Sequence, residues 1–113
     1  LSGLPQTVAE HFDGPPSSPF MECDYRPRDR SRFRHLLPSP EAAVRVHTVS
    51  ETALPRFTRL LEAFGEASGL PLLINTSFNG FHEPIVCSPR DAVRVFYGSG
   101  LDLLVVDRFL LRK

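Results

Sequence analysis

Apolar positions along the chain change their spacing in a way that predicts elements. In residues 43–49 they alternate. Val44, Val46 and Thr48 fall on one face, with Arg45 and His47 on the other, the period of a half-buried strand. In residues 55–68 the spacing becomes helical: Phe57, Leu60, Leu61 and Phe64 recur at i, i+3, i+4 and i+7. Pro55 suits the first turn of that helix and Gly69 its C-terminal cap. Residues 70–75 form a short apolar run between Gly69 and Ser77-Phe78-Asn79-Gly80, which reads as a buried strand. Ser88-Pro89-Arg90-Asp91 reads as a helix start, with Ser88 as N-cap and Asp91 at the third position. That helix runs to about Tyr97 and stops at Gly98 or Gly100. Residues 101–106 and 108–111 read as strands, with a kink or tight turn at Asp107.

The first 42 residues are patterned differently. They carry seven of the eleven prolines. Residues 7–12 suit a short helical turn, residues 14–19 a loop, and residues 20–25 a short strand. Residues 26–34 are a basic stretch with one acid, closed off by Pro38-Ser39-Pro40. The expected organisation is therefore a Pro-rich loop segment over 1–42 and an α/β core over 43–113. The order β-α-β-loop-α-β-β predicts an α/β or α+β fold, a mixed sheet with helices packed on it.

Composition narrows the class. At 113 residues the chain suits one domain that buries roughly two-thirds of its unfolded surface. With 42% hydrophobic and 23% charged residues it is neither a disordered chain nor a coiled coil. Zero net charge argues against nucleic acid or anionic lipid as partners. No apolar run approaches the ~20 residues of a membrane span, and no signal peptide is visible. Two cysteines, Cys23 and Cys87, make no disulfide framework, so the cytoplasm is the default compartment. Twelve of thirteen basic residues are arginine, and the chain starts with Leu1. This suggests a processed product or a piece of something longer.

Candidate chemistry concentrates at residues 72–80. Asn75, Thr76, Ser77, Asn79 and Gly80 follow directly on a strand, where ligands sit in α/β sheets. Ser77 and Asn79 offer hydrogen bonds and Gly80 allows close backbone approach, as in a phosphate or nucleotide loop. An ordinary polar turn has the same composition. Arg45, opposite Val44 and Val46, suits a bidentate phosphate or carboxylate contact, or simply an exposed face. His82-Glu83 could do acid–base work or form a turn-surface pair. Cys87 could feel a helix dipole or be a small buried residue. The arginines of 26–34 have one interleaved aromatic, Phe33, and read as a solvated mobile loop. The histidines and cysteines show no metal-ligand spacing, so no metal site is expected in this chain.

Several blocks together resemble a known family. They are Ser18-Pro19-Phe20-Met21, Ala43 through Val49, Ala63-Phe64-Gly65-Glu66, Leu73-Ile74-Asn75-Thr76-Ser77-Phe78-Asn79, Glu83-Pro84-Ile85-Val86, Ser88 through Ala92 and Gly100-Leu101-Asp102. In this order they are similar to the C-terminal domain of the O-carbamoyltransferases, the group of nodulation-factor, cephem and aminoglycoside carbamoyltransferases. The resemblance implies a partial YrdC-like fold, a twisted mixed sheet with helices. It implies that this domain binds ATP, with Mg, and carbamoyl phosphate as co-substrates. Carbamoyl adenylate would form with release of pyrophosphate. A separate N-terminal domain, in cis or in trans, would pass the carbamoyl group to a hydroxyl acceptor and carry the metal. Arg45, Ser77 and Asn79 are the implied nucleotide and phosphate contacts, with Asn75, Thr76 and Gly80 as further loop contacts.

The chain departs from that family at several points. The upstream basic segment has no counterpart, and no lysine precedes Lys113. Residues 1–13 look like the tail of that missing part. Pro38 through Ala42 is shorter than the usual segment, His47 stands where Gln is common, and His82 stands where Gly is usual. Alone, the chain is expected to turn over weakly or not at all. A second reading is a degenerate, non-catalytic remnant acting as an interaction module. A third, carried by residues 26–34, is an RNA-associated role, against which the zero net charge counts. A sheet lacking its first strands is also expected to self-associate.

Overall fold

Two local rules place the helices, and a computed structural model describing residues 1–113 shows both at work. Proline opens each helix, where its missing N–H costs nothing. The helices are α1 (Pro5–His11), α2 (Pro55–Ser68) and α3 (Pro89–Gly98). Helix α2 ends on Gly69, which takes the left-handed conformation with φ 78°. Helix α3 begins on Ser88, whose hydroxyl accepts the Asp91 N–H at 3.2 Å. Asp91 Oδ2 in turn accepts from the Ser88 hydroxyl at 2.6 Å. Both helix predictions in the second half hold, start and stop included.

The strands are short, and the class is mixed α/β. Strands β1 (Ser2–Gly3), β5 (His47–Thr48) and β6 (Leu72–Leu73) form one sheet in the order β5-β1-β6. Strand β1 runs parallel to β5 and antiparallel to β6. Strands β2 (Phe12–Asp13), β3 (Asp24–Pro27) and β4 (Val44–Arg45) form a second, antiparallel sheet in that order. Strands β7 (Leu103–Val106) and β8 (Phe109–Arg112) form a hairpin. The sheet is thus divided into three small ones.

The predicted strand over 43–49 is extended chain that changes partners. Its first pair, β4, joins β3, and its second, β5, joins β1. Val46 sits at the change and is fully buried, so the alternation of inward and outward residues was read correctly. The predicted strand over 20–25 gives way to a turn, and pairing starts only at Asp24. Met21 is left-handed with φ 58°, and the Glu22 carboxylate accepts from the Phe20 N–H at 2.8 Å and the Ser18 hydroxyl at 3.2 Å. Local hydrogen bonds of this kind compete with a ladder. The run 70–75 reaches the sheet only as edge strand β6. Leu72 is buried, while Ile74 is 73% exposed.

The chain divides into two compact units, Leu1–Asn75 and Thr76–Lys113. The first is built on Val8, Phe12, Tyr25, Phe33, Val46 and Leu72. Phe33, read as part of a mobile basic loop, is a core residue whose ring meets Phe12 at 4.9 Å. Its arginine neighbours are also held: Arg28 pairs with Asp13 at 2.8 Å, and Arg30 donates to the Pro40 and Ala42 carbonyls. Helix α2 buries only Thr58 and Leu61. On the rest of its apolar face Phe57 is half-buried, and Leu60 and Phe64 are exposed. The second unit packs Ala92 and Phe96 of α3 against Leu104, with Phe78, Val86, Val106 and Leu111 around them. Its hairpin closes on a two-residue turn at Asp107, φ 53°, a conformation that Asp tolerates.

Candidate functional site

The polar loop after β6 begins where the first unit ends. Asn75 belongs to that unit. Its side-chain amide donates to the Met21 sulfur at 2.9 Å, and its buried Oδ1 has no partner. Thr76, Ser77, Asn79 and Gly80 belong to the second unit. Thr76 and Ser77 are exposed, and no protein group takes up either hydroxyl. Both remain able to donate to and accept from a ligand.

Asn79 is held by its own loop. Its amide nitrogen donates to the Gly80 carbonyl at 3.0 Å and the Glu83 carbonyl at 3.3 Å. Two carbonyls facing one end of the amide fix its orientation, and Oδ1 is the atom left for a ligand. The close approach read at Gly80 is made by the protein itself. A β-carbon there would clash with Glu83 Oε2. That carboxylate cannot easily yield, because Arg94 grips it with both terminal nitrogens, at 2.8 and 2.9 Å. The guanidinium holds the Glu83 carboxyl below its ordinary range, and Glu83 raises the Arg94 pKa in return. An ion-paired carboxylate of that kind is a poor proton acceptor, which weakens the acid–base reading of His82-Glu83.

His82 has φ 58°, a conformation that glycine adopts freely and other residues at a cost. The departure from Gly at this position therefore has a backbone meaning. A hollow of about 380 Å³ lies beside the loop, within the second unit, lined in part by Asn79, Gly80, Phe81, Glu83 and Arg94.

Arg45 lies in the first unit, on β4 opposite Asp24. Its side chain is 74% exposed, and Nε keeps only a loose 3.9 Å pairing with Asp24 Oδ1. An exposed pair of that kind contributes little to stability. Cys87 is exposed rather than buried, with its sulfur 3.5 Å from Asp91 Oδ2. Hydrogen bonds from Ser88 first, and from Cys87, lower the Asp91 carboxyl below its ordinary value. The structure gathers no three His, Cys, Asp or Glu side chains in metal-binding range. No helix is long and apolar enough to cross a membrane.

Sequence reasoning missed two groups. Ser18 is fully buried, donating its N–H to Thr48 Oγ1 at 2.8 Å and accepting the Thr48 N–H on its carbonyl at 3.0 Å. It fastens the turn before β3 to β5. Arg94 was missed as the clamp on Glu83. The pair is eleven residues apart, Glu83 in the loop and Arg94 within α3, and no local signal marks it.

A small mixed α/β fold ending in a helix and a hairpin, with a polar loop after an edge strand, defines the class. The sequence pattern described as "Carbamoyltransferase C-terminus" matches residues 2–113, and the chain belongs to that family. It is 37% identical over 116 residues to the nodulation protein NolO of Bradyrhizobium diazoefficiens, covering 99% of this chain and 21% of that protein. It is 35% identical over 116 residues to the nodulation protein NolNO of Sinorhizobium fredii, covering 99% of this chain and 17% of that protein. An uncharacterised protein of Synechocystis is 42% identical over 71 residues, which is 63% of this chain and 12% of that protein. The chain thus spans about a fifth of the length of the nodulation proteins it matches.

Proposed function

We propose that this chain is the nucleotide-handling part of a carbamoyltransferase. It binds ATP, with its Mg, and carbamoyl phosphate, and contributes to making carbamoyl adenylate. A separate N-terminal domain, in cis or in trans, moves the carbamoyl group to a hydroxyl acceptor. The family match over residues 2–113 carries this reading. The two unoccupied hydroxyls of Thr76 and Ser77 and the weakly engaged Arg45 guanidinium support it.

Atom balance sets out the chemistry. Carbamoyl phosphate gives its phosphate to water and leaves carbamate. A carbamate oxygen attacks the α-phosphorus of ATP, the bond to the bridging oxygen breaks, and pyrophosphate departs. The protein need form no covalent bond in this sequence. Its work is to position the two anions and stabilise their charge. In this proposal Arg45 grips a phosphate, Ser77 donates to nucleotide oxygens, and Asn79 orders the loop and accepts from the nucleotide. Asn75, Thr76 and Gly80 shape the same loop.

Reconstitution with an N-terminal carbamoyltransferase domain tests the reading. Ser77→Ala and Arg45→Ala should each lower ATP-dependent carbamoyl transfer by about tenfold or more, the cost of one charged hydrogen bond. Unchanged activity in both variants would contradict the proposal. The rival reading is a non-catalytic remnant, favoured by the internal use of both Asn79 amide hydrogen bonds. It predicts no ATP-dependent transfer from the reconstituted pair, with or without the substitutions.

A further inference from the structure

We propose that Phe81 is a stacking platform for the nucleotide's base, and that the hollow it borders takes an adenine ring. This deepens the nucleotide-binding reading and rests on it.

Phe81 is 91% exposed, the most exposed large hydrophobic residue in the chain. Leaving a phenylalanine in water forgoes most of what its burial offers, so one at a cavity mouth suits a ligand. The left-handed backbone at His82 turns the chain there. The His82 ring lies 4.1 Å from that of Phe81 at 61°, an edge-on contact that steadies the ring without covering it.

The hollow, about 380 Å³, falls within the size range of small-molecule sites. Arg94 would make such a hollow attractive to phosphate if its charge were free. Both its terminal nitrogens are instead spent on Glu83, and the pair is neutral. The walls therefore suit the uncharged, flat end of a nucleotide. Asn79 lines the hollow, and its Oδ1, the atom its own loop leaves free, is an acceptor that suits the adenine amino group. Ser77 lies four residues away, at most ~14 Å of chain. One nucleotide can therefore reach Ser77 with its phosphates while its base meets Phe81.

The sequence contains no tryptophan, so Phe81→Trp creates a single fluorescent reporter. ATP and adenosine should quench its emission saturably, and inorganic tripolyphosphate should not. Phe81→Ala should weaken ATP binding, followed by calorimetry, by about tenfold or more. Its binding of tripolyphosphate should match that of the wild type. If wild type and Phe81→Ala bind ATP equally and Phe81→Trp is not quenched, the platform is wrong while the nucleotide reading stands. If wild type binds neither ATP nor adenosine, the nucleotide reading itself falls.

Discussion

His82 shows how much a single backbone angle can explain. The sequence displays only a histidine, at a position where the resemblance leads one to expect glycine. The structure supplies the reason glycine suits the site, a φ of 58°. A β-branched residue is the worst fit there. His82→Val should therefore cost about 1–2 kcal/mol of unfolding free energy. His82→Gly should stay within about 1 kcal/mol of wild type, because relief of strain is offset by the entropy of a glycine. Urea titration of both variants checks this; equal losses would mean the angle is not imposed by the fold. Ser77 was legible as a candidate from its place after a strand, and the structure leaves it exposed. Asn79 was legible as a polar group but not as one whose amide is already engaged. Only the fold could show the Gly80 and Glu83 carbonyls around it.

At the scale of elements, helices were read well and strands less well, for one physical reason. Helix ends are set by neighbours in sequence: Pro55 and Gly69 for α2, Ser88 and Pro89 for α3. Strand partners come from far away. Nothing local in residues 43–49 says that pairing moves from β3 to β1 across Val46. The cap of α3 gives a direct test: Ser88→Ala should cost about 1 kcal/mol, read from the chemical unfolding midpoint. The acids of this unit give a second. The folded state holds Glu83 below its ordinary value of 4.5 and Asp91 below 3.8. Depressed carboxyl pKa values stabilise the fold above the unfolded values, and that contribution is lost as pH falls through the folded ones. The melting temperature should therefore fall as pH drops below about 4.5. Glu83→Gln should flatten that fall, and a parallel pH curve would show the Arg94 clamp to be inert.

The whole molecule leaves much apolar surface in water. Leu103, Val105 and Leu110 share the face of the hairpin turned away from the core, each more than half exposed. Both hairpin edges lack a further strand. The alternation in 103–112 marked strands but could not show that one face finds no cover, since cover is a property of the assembled chain. Exposed faces of this kind drive association. Wild-type sedimentation should rise with protein concentration. The double variant Val105→Thr, Leu110→Lys should abolish that rise with little change in stability. A wild type that sediments identically at all concentrations would refute this.

On the proposed function, a chain spanning about a fifth of its relatives' length retains a nucleotide site of its own. Calorimetric titration of ATP, with and without carbamoyl phosphate, tests it most directly, with Ser77→Ala beside the wild type. Binding should be saturable, and Ser77→Ala should weaken it about tenfold or more. Absence of binding under both conditions, or binding that the substitution leaves untouched, would contradict it.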